Sequence, residues 1–167
     1  MAVNQTVYDV DAEEKISNVL LTLLNTYPGL DTGVIEFARL SETSGIGFFP
    51  SSSPVMLIDN HYITGWVYQR CRYSFDVIYR SAPQSDAQKI RVKEFLDGLG
   101  RWLEQQPVSI NETSYKLETY PEIESGARKI RKITRVTPAF MMTANPNGIQ
   151  DWAISLEMIY QNNYFKE

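Results

Sequence analysis

The chain contains few of the side chains that carry catalytic or metal chemistry. Its 167 residues include one cysteine, Cys71, and one histidine, His61. One cysteine excludes an intramolecular disulfide and a zinc site built on several cysteines. The longest apolar clusters are far shorter than the roughly 20 residues that span a membrane, and residues 1–6 lack the basic and apolar regions of a secretory signal. We therefore expect a soluble protein that acts where it is made and binds no membrane.

Positive charge is also scarce. The sequence has 20 acidic and 16 basic residues, which gives a formal net charge of −4. Binding to duplex DNA without sequence preference needs a basic face that displaces counterions from the phosphates, so this composition argues against that class. Hydrophobic residues make up 43% of the chain, enough for a core, and the length fits a single domain over residues 1–167.

Two apolar stripes predict helices. The first lies within Asp11–Asn25 and the second within Ala87–Gln106, and both repeat at the spacing of one helix face. Capping boxes are predicted at their starts, formed by Asp11 with Glu14 and by Ser85 with Gln88. Gly98 and Gly100 weaken the second helix by up to about 1 kcal/mol each relative to alanine, and we expect them either to allow close packing or to loosen its last turns.

Alternating and β-branched segments predict strands. They are Gly33–Leu40, Val55–Ile58, Thr64–Arg80, and a hairpin of Ile130–Thr143 with Asp151–Tyr160 turned by Asn147-Gly148. In Thr64–Arg80 one parity is mostly apolar and the other is mixed and charged, which is typical of a half-solvated antiparallel strand. Flexible or polar connections are predicted at Ser41–Ser53, which has room for a short extended piece, at the turn 59–61, and at Val108–Ala127, which has room for one short strand.

No motif indicates catalysis. His61 has no accompanying serine motif, and a histidine in a turn is more often solvated than catalytic. Arg70 and Arg72 flank Cys71, but adjacent strand residues point to opposite faces, so Cys71 is interpreted as a buried structural cysteine. Gly45-Ile46-Gly47 lacks the remaining residues of a phosphate-binding loop. We expect no catalytic residue, no cofactor and no metal ligand.

Two charged segments are candidates for contacts. The acidic segment contains Glu118, Glu122 and Glu124; the basic segment contains Arg128, Lys129, Arg131, Lys132 and Arg135. The acidic segment reads as a solvated loop. If the basic segment is a regular strand, both of its faces carry charge, which predicts an edge or a protruding strand start. A solubilising strand end, contact with acidic residues of another subunit, and direct DNA contact all remain open for it.

Four segments carry a resemblance to a known family. They are Phe75–Arg80 at a strand end, Phe95–Gln106 at a helix end, the basic strand Lys129–Thr134, and the last strand Trp152–Gln161. In this order they resemble the tail-terminator (tail-completion) proteins of long-tailed bacteriophages, which are often labelled minor capsid or head–tail joining proteins. The resemblance covers about Thr64–Glu167, and the helix end is its most specific part.

The resemblance implies an α+β fold, a twisted and mostly antiparallel sheet on which the two main amphipathic helices pack. It implies a ring, usually a hexamer, that caps the finished tail tube, ends tube polymerisation and joins the tail to the head connector. The implied partners are other copies of the chain, the tail-tube protein and the head–tail connector protein, while DNA passes through the lumen without specific binding. The implied location is the head-proximal end of the virion tail, after assembly in the host cytoplasm.

Ring contacts can be assigned as hypotheses. A ring needs heterologous contacts, in which one face of a subunit meets a different face of the next. The acidic and basic segments are predicted to pair across such an interface. Phe48 and Phe49, predicted to be exposed in the 41–53 loop, are expected to dock on the tube or the connector.

Other functions remain open. The chain is alternatively another structural adaptor of the same particle, such as a head-completion or tail-tube protein. A small enzyme using His61 and the 41–53 loop belongs to a different class, as does a nucleic-acid-binding module, against which the acidic pI of about 5.1 counts.

Overall fold

The computed structural model describes residues 13–31, 33–51, 54–124 and 128–165. The helices are α1 (Glu13–Leu24) and α2 (Asp86–Leu103), with a 3₁₀ turn at Pro28–Leu30. The strands are β1 (Ile35–Phe37), β2 (Gly45–Pro50), β3 (Val55–His61), β4 (Trp66–Ser81), β5 (Val108–Ile110), β6 (Thr113–Tyr115), β7 (Glu122–Glu124), β8 (Arg128–Arg135), β9 (Phe140–Ala144) and β10 (Gln150–Phe165). This content confirms the predicted α+β class.

A ribbon of two 16-residue strands forms the centre of the sheet. β4 and β10 pair antiparallel along their whole length, from Trp66 opposite Phe165 to Ser81 opposite Gln150. The apolar parity predicted for β4 is confirmed, because Cys71, Tyr73, Phe75 and Val77 are buried and alternate with half-buried residues. β10 continues to Phe165, beyond the predicted end at Tyr160.

Shorter strands flank the ribbon on both sides. Along β4, β2 pairs with one half and β3 with the other. Along β10, β9 pairs near the start and β8 nearer the end. β1 adds parallel to β2, and β7 adds antiparallel to β8, which gives the order β1-β2-β4-β10-β8-β7 with β3 and β9 beside the ribbon. The sheet is therefore mostly antiparallel, as expected.

Both helices pack on the same face of the ribbon. Ser17 of α1 is hydrogen-bonded to the hydroxyl of Tyr73 on β4 at 3.1 Å. A Cβ added at Gly100 of α2 would lie 2.8 Å from Cδ1 of Ile154 on β10, and one at Gly98 would lie 2.6 Å from the Tyr27 hydroxyl. The expectation that these glycines allow close packing is thus confirmed, since any larger residue at either position collides with a neighbour.

The helix ends are partly as predicted. The Ser85 hydroxyl accepts a hydrogen bond from the backbone N–H of Gln88 at 3.3 Å, which confirms the cap of α2. α2 ends at Leu103 rather than Gln106. The cap predicted at Asp11 lies outside the described residues.

Three loop predictions need correction. The short extended piece allowed within the 41–53 loop is a six-residue strand, β2, whose residues Gly45–Pro50 pair with Arg80–Phe75 of β4. The residues predicted as a turn at 59–61 complete β3. The segment after Val108 holds the strands β5, β6 and β7 instead of one. Pairing with a long neighbouring strand supplies backbone hydrogen bonds that hold such a segment as a strand. The local propensities of glycine and serine do not predict this pairing.

An ion pair fixes one end of the ribbon. Arg80 of β4 donates two hydrogen bonds to Asp151 of β10, from Nε at 2.8 Å and from Nη2 at 2.9 Å, and a third to the carbonyl of Ser41 at 2.9 Å. The hydrogen bond from Arg80 lowers the pKa of the Asp151 carboxyl below its usual value. Because Asp151 is buried, its charge depends on this partner.

Replacing Asp151 with asparagine is expected to lower the free energy of unfolding at pH 7 by about 2 to 4 kcal/mol, since it leaves Arg80 without its carboxylate. A carboxyl whose pKa is lowered by folding stabilises the protein above its unfolded pKa of about 3.9, and this contribution disappears as pH falls through the folded pKa. Urea unfolding between pH 7 and pH 3 should therefore show a flatter pH dependence in Asp151→Asn than in the wild type.

The matched control is Asp31→Asn. Asp31 is exposed, and asparagine has nearly the same side-chain shape as aspartate, so the substitution changes the charge and leaves the backbone conformation as it is. Its unfolding free energy and pH dependence should follow the wild type within about 0.5 kcal/mol. Equal pH profiles for Asp151→Asn and Asp31→Asn would contradict the assigned role of the ion pair.

Candidate interaction surfaces

His61 belongs to a hydrogen-bonded series between strands. Its Nε2 lies 2.8 Å from Oδ1 of Asp59, which also accepts a hydrogen bond from Nε2 of Gln69 at 3.0 Å. Gln69 in turn accepts one from Asn162 at 2.9 Å. The hydrogen bond from Gln69 is the main reason why the pKa of Asp59 is lowered. Asp59 and Gln69 are register partners on β3 and β4, so this series fastens the two strands together.

Cys71 is fully buried, as predicted. Within the described ranges, no group of three or more histidine, cysteine, aspartate or glutamate residues is arranged to hold a metal ion. Among the same residues, no helix has the length and apolar character needed to cross a membrane. Cys71 therefore contributes to packing of the core.

A cavity of about 790 Å³ lies beside α2. Its aromatic wall is packed tightly, because the Phe95 ring meets Tyr27 and Tyr79 edge to face at centroid distances of 5.6 and 5.4 Å. Burial raises the pKa of Tyr27, so its phenol stays protonated at neutral pH. Among the charged lining residues, Asp97 accepts a hydrogen bond from Nζ of Lys93 at 2.6 Å and one from the backbone N–H of Ala139 at 2.8 Å, so this carboxylate is held by contacts within the fold.

The acidic and basic segments are neighbours within one chain. β7 pairs with β8, and this register places Glu122 opposite Lys129 and Glu124 opposite Arg128. Glu118 and Glu122 are exposed, while the Glu124 side chain lies outside the described part. The acidic and basic segments are therefore not spatially separate, because β-pairing brings them together within one chain, and their pairing across a subunit interface stays a prediction.

A bulge in β8 overturns the predicted faces of the basic strand. The register slips between Ile159 and Tyr160 of β10, so that Arg131 is the extra residue between Ile130 and Lys132. Arg128, Ile130 and Ile133 are buried, whereas Lys129, Arg131 and Lys132 are exposed. The start of β8 is also neither an edge nor a protrusion, because Arg128 is 0% exposed and β7 and β10 flank the strand. A bulge changes side-chain parity, and sequence alternation cannot reveal it.

Arg135 is occupied inside the fold. Its Nε donates to Oε1 of Glu104 at 2.6 Å, and its backbone N–H reaches the same carboxylate at 3.4 Å. This contact ties β8 to the end of α2. Arg128 and Arg135 therefore make their contacts within the chain. The exposed residues Lys129, Arg131 and Lys132 remain candidates for contacts with another subunit or partner.

The exposed cations lie on the sheet face opposite the helices. Across the ribbon, Gln161 lies between Arg70 and Lys129, and Ile159 lies between Arg72 and Lys132. Residues opposed across strands share a face, so these four cations and the bulged Arg131 form one basic strip. Within the described residues none of the five makes an ion pair; Arg70 donates to the Tyr68 hydroxyl at 2.8 Å and Arg131 to Gln161 at 3.3 Å. Glu122 and Glu157 border the strip.

Phe48 is not available to a partner. It is 0% exposed, and its ring packs edge to face on Phe75 at 5.2 Å and on Phe37 at 5.5 Å. Phe49 points to the other side of β2 and is half-buried. The prediction of an exposed phenylalanine pair is thus wrong for Phe48, because the glycine-rich segment is a strand with one face in the core.

An apolar surface lies at the β3–β4 hairpin. β3 is exposed along most of its length, and the connection to β4 carries Ile63, which is 105% exposed. Trp66 is 55% exposed and packs edge to face on Phe165 at 5.4 Å. We call the following exposed residues the hairpin patch: Val55, Met56, Leu57, Tyr62, Ile63, Trp66 and Phe165.

A second apolar surface is formed by β9. All five of its residues are exposed, and three of them are large and apolar. We call Phe140, Met141 and Met142 the β9 patch. Clusters of exposed large apolar residues mark interaction sites in many proteins. Both patches were missed in the sequence analysis, because a short apolar run such as Val55–Ile58 predicts a buried strand. The signal that could have indicated an exposed surface is that the apolar residues of such a run do not alternate with polar ones.

The hairpin patch is expected to contribute little to folding of the single chain. Ile63→Ser should change the free energy of unfolding by less than about 0.5 kcal/mol, since an exposed side chain loses no core contact. Its matched control is Ile133→Ser, at a site that is 1% exposed, where a loss of about 3 kcal/mol is expected. Urea unfolding at low protein concentration measures both. A loss above 1 kcal/mol for Ile63→Ser would mean that the patch is covered within the chain.

Comparison with models of known protein families finds none that matches this chain, and comparison with curated proteins finds no match either.

Proposed function

We propose that this protein is a tail-terminator protein of a long-tailed bacteriophage, which assembles into a ring, caps the tail tube and joins the tail to the head connector. The observation that carries the proposal is the pair of exposed apolar surfaces on opposite sides of one sheet. The hairpin patch lies along β3 beside β4, and the β9 patch lies beside β10. Closed rings require two different faces on each subunit, and these surfaces provide them.

The arrangement of the resembling segments supports the proposal. The strand end Phe75–Arg80 belongs to β4, the segment Lys129–Thr134 to β8 and the segment Trp152–Gln161 to β10, and these strands are consecutive in the sheet. α2, which contains most of the resembling helix end, packs on the same strands through Gly100 and Glu104. The segments that carry the resemblance thus form one packed unit with a common core.

The charge distribution is compatible with a ring through which DNA passes. The net charge of −4 keeps the whole chain from acting as a general polyanion binder. The basic strip is local, and acidic Glu122 and Glu157 lie beside it. In this proposal the strip contacts an acidic surface of the tube, the connector or a neighbouring subunit, and the protein performs no catalysis.

The test is the mass of the purified chain by light scattering across concentration, with electron microscopy of the same samples. Tail tubes of the same phage are added in a second series. We expect a discrete ring, or a monomer that forms rings only on tube ends, and we expect the ring to stop further tube growth. Long tubes from the chain alone would identify a tube protein instead, and a monomer or small dimer indifferent to tubes would overturn the proposal.

His61→Ala separates the assembly proposal from the enzyme alternative. The His61 side chain is exposed and pairs with Asp59 within the same strand. The substitution keeps the backbone of β3 and the bond between Asp59 and Gln69, so ring formation and tube termination should be unchanged. An enzyme that uses the only histidine of the chain would lose its activity. If His61→Ala unfolds at the same urea concentration as the wild type but fails to assemble, this test does not separate the assembly proposal from the enzyme alternative.

A further inference from the structure

We infer that neighbouring subunits join through two strand edges: the free edge of β3 in one copy pairs with the free edge of β9 in the next. This inference rests on the proposed ring and names the surfaces that close it. In the described part of the chain, β3 pairs only with β4 and β9 only with β10. Each strand therefore presents a second row of backbone N–H and C=O groups with no strand beside it.

The edges of β3 and β9 are longer and more apolar than the other edges of the sheet. β1 and β7 end the sheet at three residues each, and both carry glutamate, at Glu36 in β1 and at Glu122 and Glu124 in β7. Short length and charge are usual means by which proteins prevent edge-to-edge pairing. β3 has seven residues, which begin Val-Met-Leu-Ile and end in the polar residues Asp-Asn-His, and β9 has five residues without any charge. Each strand has one register shift against its neighbour, but the apolar parts of both edges stay exposed in the monomer, and this exposure indicates a partner strand.

The directions of the strands are compatible with this contact. β3 is antiparallel to β4, β4 to β10, and β10 to β9, so β3 and β9 run in opposite directions. Rotation about a ring axis preserves strand direction, so β9 of one copy meets β3 of the next as an antiparallel pair, the more favourable arrangement. β3 lies beside one end of the ribbon, and β9 lies beside the other end. For β9 of one copy to meet β3 of the next, the strands must be inclined to the ring axis, as they are in closed barrels.

The occupant that fits both edges is a second copy of this chain. A single foreign strand would cover one edge and leave the other exposed. Repetition of the chain covers both at every junction, and it leaves no free apolar edge once the ring closes. The side chains agree in chemistry, since Met56 and Leu57 on one edge and Met141 and Met142 on the other are all 39–48% exposed. Large side chains at this exposure form patches of the order of several hundred Å², the range typical of functional surfaces.

The test uses two variants that each block one edge. Met56→Lys with Leu57→Lys places charges on β3, and Met141→Lys with Met142→Lys places them on β9, which is how natural edges are blocked. At a concentration where the wild type forms rings, alone or on tail tubes, each variant should be monomeric by light scattering. A 1:1 mixture should give a heterodimer, because one variant retains β9 and the other retains β3. Ile90→Lys, at an exposed apolar site on α2, is the matched control and should form wild-type rings.

Each result decides between models of the contact. Rings from either double variant would overturn the inference while leaving the terminator proposal intact. A homodimer of the β9-blocked variant would show that β3 pairs with β3, and would overturn it too. Thermal unfolding identifies a variant that fails to fold, and in that case Leu57→Lys and Met141→Lys are used singly. A wild type that never associates, with or without tubes, removes the proposed function itself.

A cross-linking experiment tests the same contact in assembled particles. Cys71 is buried and should not react under native conditions, so cysteines placed at Leu57 in one copy and at Met141 in a second, tagged copy are the reactive pair. A short bis-maleimide should join the tagged and untagged copies at least ten-fold more efficiently than it joins two copies of either variant. The inference would be overturned if rings of wild-type size gave no cross-link between the tagged and untagged copies. It would also be overturned if this cross-link formed no more efficiently than the one between two copies of the same variant.

Discussion

The antiparallel pairing of β4 with β10 is the constraint on which the rest of the sheet depends. Both strands have 16 residues, and they match along their full length. Every other strand of the large sheet attaches to one of them directly, or through β2 or β8. The buried face of the ribbon carries the apolar side chains on which α1 and α2 pack. Removing this pairing would leave the helices without a surface and the flanking strands without neighbours.

The exposed surfaces follow from the same ribbon. It is longer than any one flanking strand, so two short strands share each side: β2 and β3 along β4, β9 and β8 along β10. The helices do not bury β3 and β9 as they bury the ribbon. Exposed apolar edges are thus a geometric consequence of a long ribbon with a small core, and a ring is one way in which a protein can use them.

Much of the fold, and little of the interaction surface, can be predicted from the sequence. Alternation identifies the buried face of β4, and the apolar stripes identify both helices, because these patterns depend on one residue and its local period. β2 is missed because its strand state comes from the neighbouring β4 and not from its Gly-Ile-Gly sequence. The bulge at Arg131 reverses the faces of the basic strand through a slip against β10, which no local pattern encodes. Exposure of Met56 and Met141 depends on where the helices end, which is a property of the tertiary structure.

The separation of β4 and β10 along the chain has a consequence for biosynthesis. α2 and the strands β5 to β9 lie between them, so the ribbon consists of contacts between distant parts of the sequence, and such contacts form slowly. On the ribosome β4 emerges long before its partner, with its aromatic face uncovered until β10 follows. The central pairing of the sheet is therefore completed only late in synthesis, and the strands and helices that depend on it reach their final neighbours after most of the chain has been made.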